Sequence, residues 1–277
     1  MADNSFGRVM DLRLRGRTAA ITGASKGIGF AIANELAAEG VNLHLCARSE
    51  EELRRVSDVL TSKHGVSVDI HPADLADRQV RDAFARRIAF VDILVNCAGA
   101  IPGGTLDQVD EDAWRAAWDL KLFGYIGISR IVYAEMCRRR RGVIINVVGT
   151  GGLSNNARYI CGGPNNAALI SFTNSLGGAS VRYGVRVCGV NPGPVATERM
   201  DYLRRIEESK VAPENLAEWN KRYTDVMAYG RAATPEEISG AVAFLASDRA
   251  SYISGSMMTI DGGMLARAGA PGSLVDG

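Results

Sequence analysis

Short apolar runs alternate with longer amphipathic runs along most of the chain, and this alternation constrains the fold more than any other feature. The apolar runs are nearly continuous, which is typical of strands that are covered on both faces. Runs of strand type lie at residues 18–22, 41–46, 66–71, 91–96, 142–148, 185–191 and 256–261. Helical patterns fill the gaps at residues 27–39, 50–63, 77–89, 111–138, 164–182 and 235–247.

Connections of this length between successive strands predict right-handed βαβ units. We therefore expect an α/β fold of the Rossmann type, with a doubly wound, parallel, seven-stranded sheet flanked by helices. The length fits one domain over residues 1–277, since no linker, repeat or low-complexity tract divides the chain. The C-terminal segment from Arg267 onwards is expected to be loosely docked.

Residues 198–230 interrupt this rhythm, because they are charged and aromatic with helical spacing. Ligands of open α/β sheets bind beyond the carboxyl ends of the strands, where an insertion can cover them. We therefore expect residues 194–230 to form a lid-like substrate loop within the single domain. Aromatic residues at such spacing also occur simply as packing; the residues concerned are Tyr202, Trp219, Tyr223, Met227 and Tyr229.

Charge and cysteine usage exclude several classes of function. The chain has 32 Lys and Arg against 31 Asp and Glu, so neither nucleic acid nor an anionic membrane is an expected partner. The five cysteines form no CxxC pair and lie far from the three histidines, so we expect reduced thiols and no metal site. The absence of a membrane-length apolar run and of a signal-peptide core predicts a cytoplasmic protein.

The segment "ITGASKGIGF" joins the first strand to the first helix and carries Gly23, Gly27 and Gly29. Glycines at such a turn permit positive φ and let backbone amides approach a pyrophosphate at a helix N-terminus. Because the strand–turn–helix context is present, the segment predicts dinucleotide binding. A merely tight connection between strand and helix would not require three glycines at this spacing.

The turn after the second strand indicates which dinucleotide binds. NAD-binding proteins usually carry an acid there for the ribose 2′-hydroxyl, whereas this chain has Cys46 and Ala47 followed by Arg48. An arginine suits a 2′-phosphate, and Lys26 adds a second cation nearby. We expect NADP(H) to be preferred, with NAD(H) still possible, although both cations could also be ordinary solvated charges.

Several motifs in a fixed order resemble the classical short-chain dehydrogenase/reductase (SDR) family from about residue 16 to residue 263. They are "TGASKGIG", "DLAD", "NCAG", "NPGPVATE" and the C-terminal stretch at 230–263. The resemblance implies that one side of the cleft meets the adenine and the other the nicotinamide carboxamide. It also implies a homotetramer, or a homodimer, built through helices 111–138 and 164–182. The cofactor-binding residues so implied are Gly23, Ser25, Lys26, Gly27, Ile28, Gly29, Arg48, Asp74, Leu75, Asn96, Ala98, Gly99, Pro192, Gly193, Val195 and Thr197.

The family's proton-handling residues are an asparagine, a serine, a tyrosine and a lysine, and this chain departs from that pattern. Alignment on "IIN" places the serine position at Gly149, and alignment on "NAAL" places the lysine position at Asn166. The tyrosine position then becomes Gly162. In the fourth helix, "KLFG" places Lys121 where the family has asparagine.

Two substitutes for the missing groups remain open from the residues alone. Tyr159 is either a displaced acid/base or a tyrosine of the pocket wall. Thr150 or Ser154 could replace the serine, although turn hydroxyls usually bond to their own backbone. Lys121 and Asn166 are interpreted as an exchange, in which lysine and asparagine have traded positions across the site; the simpler alternative is a solvated lysine.

The sequence as a whole favours an NADP(H)-dependent oxidoreductase that transfers hydride between nicotinamide and a small-molecule carbonyl or alcohol. Its expected catalytic residues are Tyr159 as the acid/base, Lys121 as its cationic support and Asn166 as the bridging amide. One alternative is a cofactor-binding protein of the same family without redox activity. Another is a lyase, hydratase or hydrolase that uses the glycine-lined pocket on the same scaffold.

Overall fold

The computed structural model describes residues 11–225, 227 and 229–267. Its strands form one sheet in the order β3-β2-β1-β4-β5-β6-β7. Every neighbouring pair is parallel, which confirms the Rossmann-type fold expected from the sequence. The strands are β1 (Thr18–Thr22), β2 (Asn42–Ala47), β3 (Val68–Pro72), β4 (Ile93–Asn96), β5 (Gly142–Val147), β6 (Val185–Pro192) and β7 (Met257–Ile260).

The helices occupy the connections between the strands. They are α1 (Gly27–Ala38), α2 (Glu50–His64), α3 (Arg78–Arg87), α4 (Glu111–Trp118), α5 (Gly124–Arg139), α6 (Gly162–Ser180), α7 (Glu198–Glu208), α8 (Leu216–Asp225), α9 (Pro235–Ala246) and α10 (Met264–Arg267). The helix expected at 111–138 is divided by a π-helical turn, Asp119–Phe123, and the helix expected to start at Pro164 starts at Gly162. The C-terminal segment expected to be loosely docked lies, after Arg267, outside the described residues.

The apolar runs of the sheet are continuous because each strand serves two cores. In β4, Ile93 and Val95 belong to a core beneath α1 and α9, whereas Leu94 between them belongs to a core beneath α3 and α5. All three side chains are fully buried. Side chains of a strand alternate between faces, so a strand that is covered on both faces must be apolar at every position.

The strand order reverses between β1 and β4. The connection from β1 to β2 and the connection from β4 to β5 cover opposite faces of the sheet. This reversal opens a crevice at the carboxyl ends of the strands, where open α/β sheets bind their ligands. A cleft of about 910 Å³ lies there. Among the described residues, no helix is long and apolar enough to cross a bilayer.

Candidate active site

The cleft runs from the glycine turn after β1 to the inserted helices α7 and α8. The turn contributes residues 23 and 25–29, and the insertion contributes Met200, Leu203, Tyr223 and Met227. Tyr202 and Tyr229 of the insertion are exposed instead, at 60% and 78%. Trp219 stacks on Tyr223, with ring centroids 5.2 Å apart.

Helix α1 opens onto the cleft with its N-terminal amides free of protein caps. Its N-cap residue Lys26 makes no side-chain capping bond, and no acid lies in its first turn. By contrast, the N-cap side chains of α2, α3, α4, α7 and α9 all accept hydrogen bonds from their helices. Unpaired amides and the positive end of the helix dipole suit a pyrophosphate, so this end of the cleft fits a dinucleotide.

The turn after β2 lies at the same end of the cleft and carries Arg48, whose side chain is exposed. Lys26 Nζ lies 3.9 Å from Glu198 Oε2, and both side chains are largely exposed. Leu75 is buried and lines the cleft, whereas Asp74 accepts a hydrogen bond from Ala76 N and is absent from the lining.

Asn96 is buried beneath the cleft and does not line it. Its amide donates to Asn146 Oδ1 at 2.9 Å and to Ser129 Oγ at 3.1 Å. Asn146 in turn donates to Thr173 Oγ1 at 2.9 Å. These bonds join β4, β5, α5 and α6, so in this structure Asn96 supports the floor of the cleft. All the other cofactor-binding residues expected from the sequence, apart from Asp74, line the cleft.

Lys121 lies on the floor of the cleft, and its ammonium group is fixed by two neutral oxygens. Nζ donates to Val148 O at 2.7 Å and to Asn166 Oδ1 at 2.9 Å. Asn166 also donates to Gly149 O at 3.4 Å, which ties α6 to the loop after β5. An ammonium group has three donors, so one N–H remains for a ligand. The structure therefore brings Lys121 and Asn166 together, as the exchange requires.

Burial lowers the pKa of Lys121 from 10.5 to about 8. The Cys97 thiol acts against this shift, and the Arg199 guanidinium adds to it. Lys121 lies in the middle of the π-helical turn, a type of turn that is frequent at functional sites. The side chain also packs against Gly99, where a Cβ would come within 3.1 Å of Lys121 Cδ.

Tyr159 lies between Gly151 and Gly162, and its ring takes the space that side chains at these positions would need. A Cβ built on Gly162 would come within 1.9 Å of Tyr159 Cζ, and one on Gly151 within 2.8 Å of Tyr159 Cε1. The ring lines the cleft. The Tyr159 ring thus lies where the side chain of a tyrosine at residue 162 would begin.

Desolvation raises the pKa of Tyr159, although the Arg199 guanidinium opposes the shift. Among the described residues, no hydrogen bond joins the Tyr159 hydroxyl to Lys121, whose bonds go to Val148 and Asn166. The phenol is therefore protonated at neutral pH and free to donate a hydrogen bond into the cleft.

The two serine substitutes lie in different places. Thr150 is buried and lines the cleft at the start of a 3₁₀ turn, whereas Ser154 is not part of the lining. Gly149 itself has φ +118°, a backbone conformation that an L-serine rarely adopts. A serine at residue 149 would therefore be strained in the backbone that this loop adopts.

Arg199 is a lining residue that the sequence patterns did not single out. It is the second residue of α7, and its Nη2 donates to Ile101 O at 2.5 Å, across the mouth of the cleft. The bond joins residues 98 positions apart, so no local pattern could have predicted it. The only available signal was its location just after the "NPGPVATE" motif.

The comparisons with known proteins agree with this architecture. The profile of a family described as enoyl-(acyl carrier protein) reductase matches residues 23–265. The 3-oxoacyl-(acyl-carrier-protein) reductase FabG of Chlamydia muridarum is 31% identical over 264 residues, covering 92% of this chain and 100% of the relative.

Solved structures show the same fold. L-sorbose reductase from Gluconobacter frateurii, complexed with NADPH and L-sorbose, superposes with a TM-score of 0.84 at 31% identity, covering 92% of this chain and 99% of the other. A 7α-hydroxysteroid dehydrogenase complexed with NADH and 7-oxo glycochenodeoxycholic acid gives 0.81 at 27% identity, covering 91% and 96%. Both the NADPH and the NADH complexes are thus represented among proteins similar to this one. Sequence motifs, sheet topology and these relatives together show that the chain belongs to the classical short-chain dehydrogenase/reductase family.

Proposed function

We propose that the protein is an NADP(H)-dependent oxidoreductase that interconverts a small-molecule carbonyl compound and its alcohol through a rearranged catalytic site. The observation that carries this proposal is the buried ammonium group of Lys121, which lies in the same cleft as the uncapped N-terminus of α1. The reductases and dehydrogenases to which the chain is similar support the reaction type.

The residues of the cleft fit a phosphorylated dinucleotide. The amides of the glycine turn would hold the pyrophosphate, and Arg48 with Lys26 would hold the 2′-phosphate. Leu75 would contact the adenine, while the segment from Pro192 to Thr197 would border the nicotinamide. When bound, the nicotinamide supplies or accepts the hydride.

Lys121 is proposed as the proton donor in the direction of reduction. Its ammonium group would give a proton to the carbonyl oxygen as that oxygen gains negative charge, and the neutral amine would regain a proton from solvent. An acid is most effective when its pKa lies near the working pH, and the pKa of Lys121 is about 8. Asn166 and Val148 hold the amine in place.

Tyr159 is proposed as a hydrogen-bond donor to the same oxygen. This assignment divides the roles differently from the sequence-based expectation, in which Tyr159 was the acid and Lys121 its cationic support. The reason is that the pKa of Tyr159 is raised by burial, whereas that of Lys121 is lowered. Two groups that favour a negative oxygen would stabilise the transition state together.

The test measures the rate at which NADPH absorbance falls when the protein is mixed with each of a panel of ketones and aldehydes. Wild-type protein is expected to oxidise NADPH with at least one of these compounds, and Lys121→Met is expected to lower kcat by about 10²–10⁴. Fluorescence titration of NADPH onto Lys121→Met supplies the control, because retained binding shows that the cleft is intact. Unchanged turnover in this variant would refute the role of Lys121.

Cofactor preference is tested at Arg48, which has no ion-pair partner among the described residues. Arg48→Ser is expected to weaken NADPH binding about tenfold to a hundredfold, as loss of a charged hydrogen bond does, and to leave NADH binding unchanged. Titration of both cofactors onto wild type and variant measures the effect. A wild type that binds NADH more tightly than NADPH would reverse the proposed preference.

A second candidate is a cofactor-binding protein without redox activity, favoured by Gly149, which stands where the family has serine and has a φ of +118° that an L-serine rarely adopts. It predicts tight NADPH binding, no turnover with any carbonyl compound, and no effect of Tyr159→Phe. A non-redox lyase, hydratase or hydrolase on the same scaffold instead predicts product formation with no change in nicotinamide absorbance.

A homotetramer is also proposed, assembled through α4, α5 and α6. An apolar groove of about 460 Å³ lies on this surface. Leu106 and Phe123 in the groove are 73% and 49% exposed, which is unusual for large apolar side chains that lie close together. A second copy of the chain would cover them.

A further inference from the structure

The catalytic part of the cleft carries positive charge that no carboxylate of the described residues neutralises. Lys121 is buried, yet both of its hydrogen-bond acceptors are neutral oxygens. Among the described residues, the cation that affects its pKa is Arg199, which repels the ammonium group, and no carboxylate contributes. Isolated charges are costly to bury, so a bound anion would offset the cost of keeping this ammonium group charged.

Carboxylates do line the cleft, but they lie elsewhere. Glu198 faces Lys26 at the cofactor end, and Glu52 belongs to α2 beside the turn that carries Arg48. Glu207 lies in the last turn of α7, close enough to Tyr223 to raise the pKa of that phenol. None of the three contributes to the pKa of Lys121 or of Tyr159.

Arg199 is fixed over this charged region. One of its amino groups bonds to Ile101 O at 2.5 Å, and its charge acts on both Lys121 and Tyr159. A guanidinium group has five N–H donors in a planar fork, so several remain for a ligand. Arg199 takes part in no ion pair within the described part of the chain.

We propose that the substrate is an oxo acid, or the corresponding hydroxy acid, and that Arg199 binds its carboxylate while Lys121 and Tyr159 face its carbonyl oxygen. This inference rests on the proposed oxidoreductase function and assigns its substrate class. A carboxylate would pair with the guanidinium fork in two hydrogen bonds and offset the charge of the site. Met200 and Leu203, on the same helix as Arg199, would border the carbon chain.

The experiment compares acids with their neutral esters on the complete protein. Acetoacetate and levulinate are each assayed against their methyl esters with saturating NADPH. Wild type is expected to show a kcat/KM at least about tenfold higher for the acids, and Arg199→Leu is expected to raise KM for the acids about tenfold to a hundredfold with little change for the esters. Arg199→Lys, which keeps the charge but loses the fork, should fall between them.

Arg205→Leu is the matched control, because Arg205 lies on the same helix, is exposed and does not line the cleft. It removes the same charge and should leave the preference for acids unchanged. Equal or better turnover of the esters by wild type would overturn the inference while leaving the oxidoreductase function in place. Loss of NADPH affinity by tenfold or more in Arg199→Leu would assign Arg199 to the cofactor instead and would also overturn it.

A protein that turns over none of these compounds would count against the proposed function, and a binding measurement then decides the inference separately. Levulinate is titrated calorimetrically onto the NADPH-loaded protein, with methyl levulinate as the neutral counterpart. The inference requires that the acid binds more tightly than the ester and that Arg199→Leu removes the difference. Equal affinity for the acid and the ester would refute the inferred carboxylate site.

Discussion

Single residues show how the site has been rearranged. The Tyr159 ring fills the space beside Gly162, while Gly149 has a backbone conformation that L side chains rarely adopt. Restoring the serine at residue 149 or the tyrosine at residue 162 alone is therefore expected to fail, because the first would be strained and the second would collide with the Tyr159 ring. Tyr159 and Gly162 should depend on each other.

This dependence predicts that the effect of Gly162→Ala on the free energy of unfolding changes sign when the Tyr159 ring is removed. Gly162→Ala is expected to destabilise wild type by about 1–3 kcal/mol, since the new Cβ collides with the Tyr159 ring. In a Tyr159→Ala background the same substitution should stabilise the protein, by at most about 1 kcal/mol, because alanine favours the helix. Urea unfolding of the four proteins measures the coupling. Additive effects would contradict the contact.

The pKa of Lys121 predicts the pH dependence of reduction. Because the ammonium form donates the proton, kcat for reduction should fall as the pH rises above about 8. The anionic cofactor favours the charged amine, so it should shift this fall to a higher pH. Oxidation of the alcohol needs the neutral amine and should instead rise through the same range. Rate profiles in both directions from pH 6 to 10 measure this. If reduction continued at a constant rate to pH 10, the assignment would be wrong.

Among the elements, α6 matters most for the site because it carries Asn166. The helix packs unusually close to the sheet: a Cβ on Gly177 would lie 2.2 Å from Gly255 N and 2.3 Å from Val187 O. Both atoms belong to backbone, which cannot move aside without shifting the strand or its neighbouring loop. The position of Asn166 is thus set partly by a glycine three turns further along the helix.

Gly177→Ala should accordingly displace α6 and affect both stability and activity. We expect a loss of about 1–3 kcal/mol in the free energy of unfolding and a fall in kcat, because Asn166 would no longer hold Lys121 in place. Gly178→Ala on the same helix is the control, since its Cβ would meet nothing within 4 Å. Helix propensity alone favours alanine at both positions, so comparable losses in both variants would contradict the close packing of Gly177 as the cause.

For the whole molecule, the proposed tetramer predicts a definite response to charge on the apolar groove of α4. Phe123→Glu should lower the mass measured by sedimentation below four times that of one chain, because a carboxylate would be buried between copies. Phe90→Glu is the control, since Phe90 is 66% exposed and lies outside the groove. A wild-type protein that sediments as a single chain would refute the tetramer.

Hydrophobic periodicity predicted the strands and helices well, because it depends only on residues that are near one another in the sequence. The strand and helix runs agree with the observed elements to within a few residues, and the glycine turn lies at the cleft as the motif requires. The helical pattern at 111–138 is observed, and it includes a π-helical turn around Lys121 that the pattern did not indicate. A single extra residue in a helical turn leaves the hydrophobic pattern almost unchanged, so periodicity does not reveal it.

The sequence by itself determined the layered fold and the glycine turn after the first strand, and it suggested that Lys121 and Asn166 had exchanged positions. Only the tertiary structure decided that Asn166 and Val148 hold the ammonium group, that the Tyr159 ring occupies the space beside Gly162, and that Arg199 spans the mouth of the cleft. The physical reason is the separation along the sequence over which each interaction acts. Hydrophobic periodicity and turn chemistry act between near neighbours, whereas the charge and geometry of the site arise from contacts between residues tens of positions apart, which only the folded chain brings together.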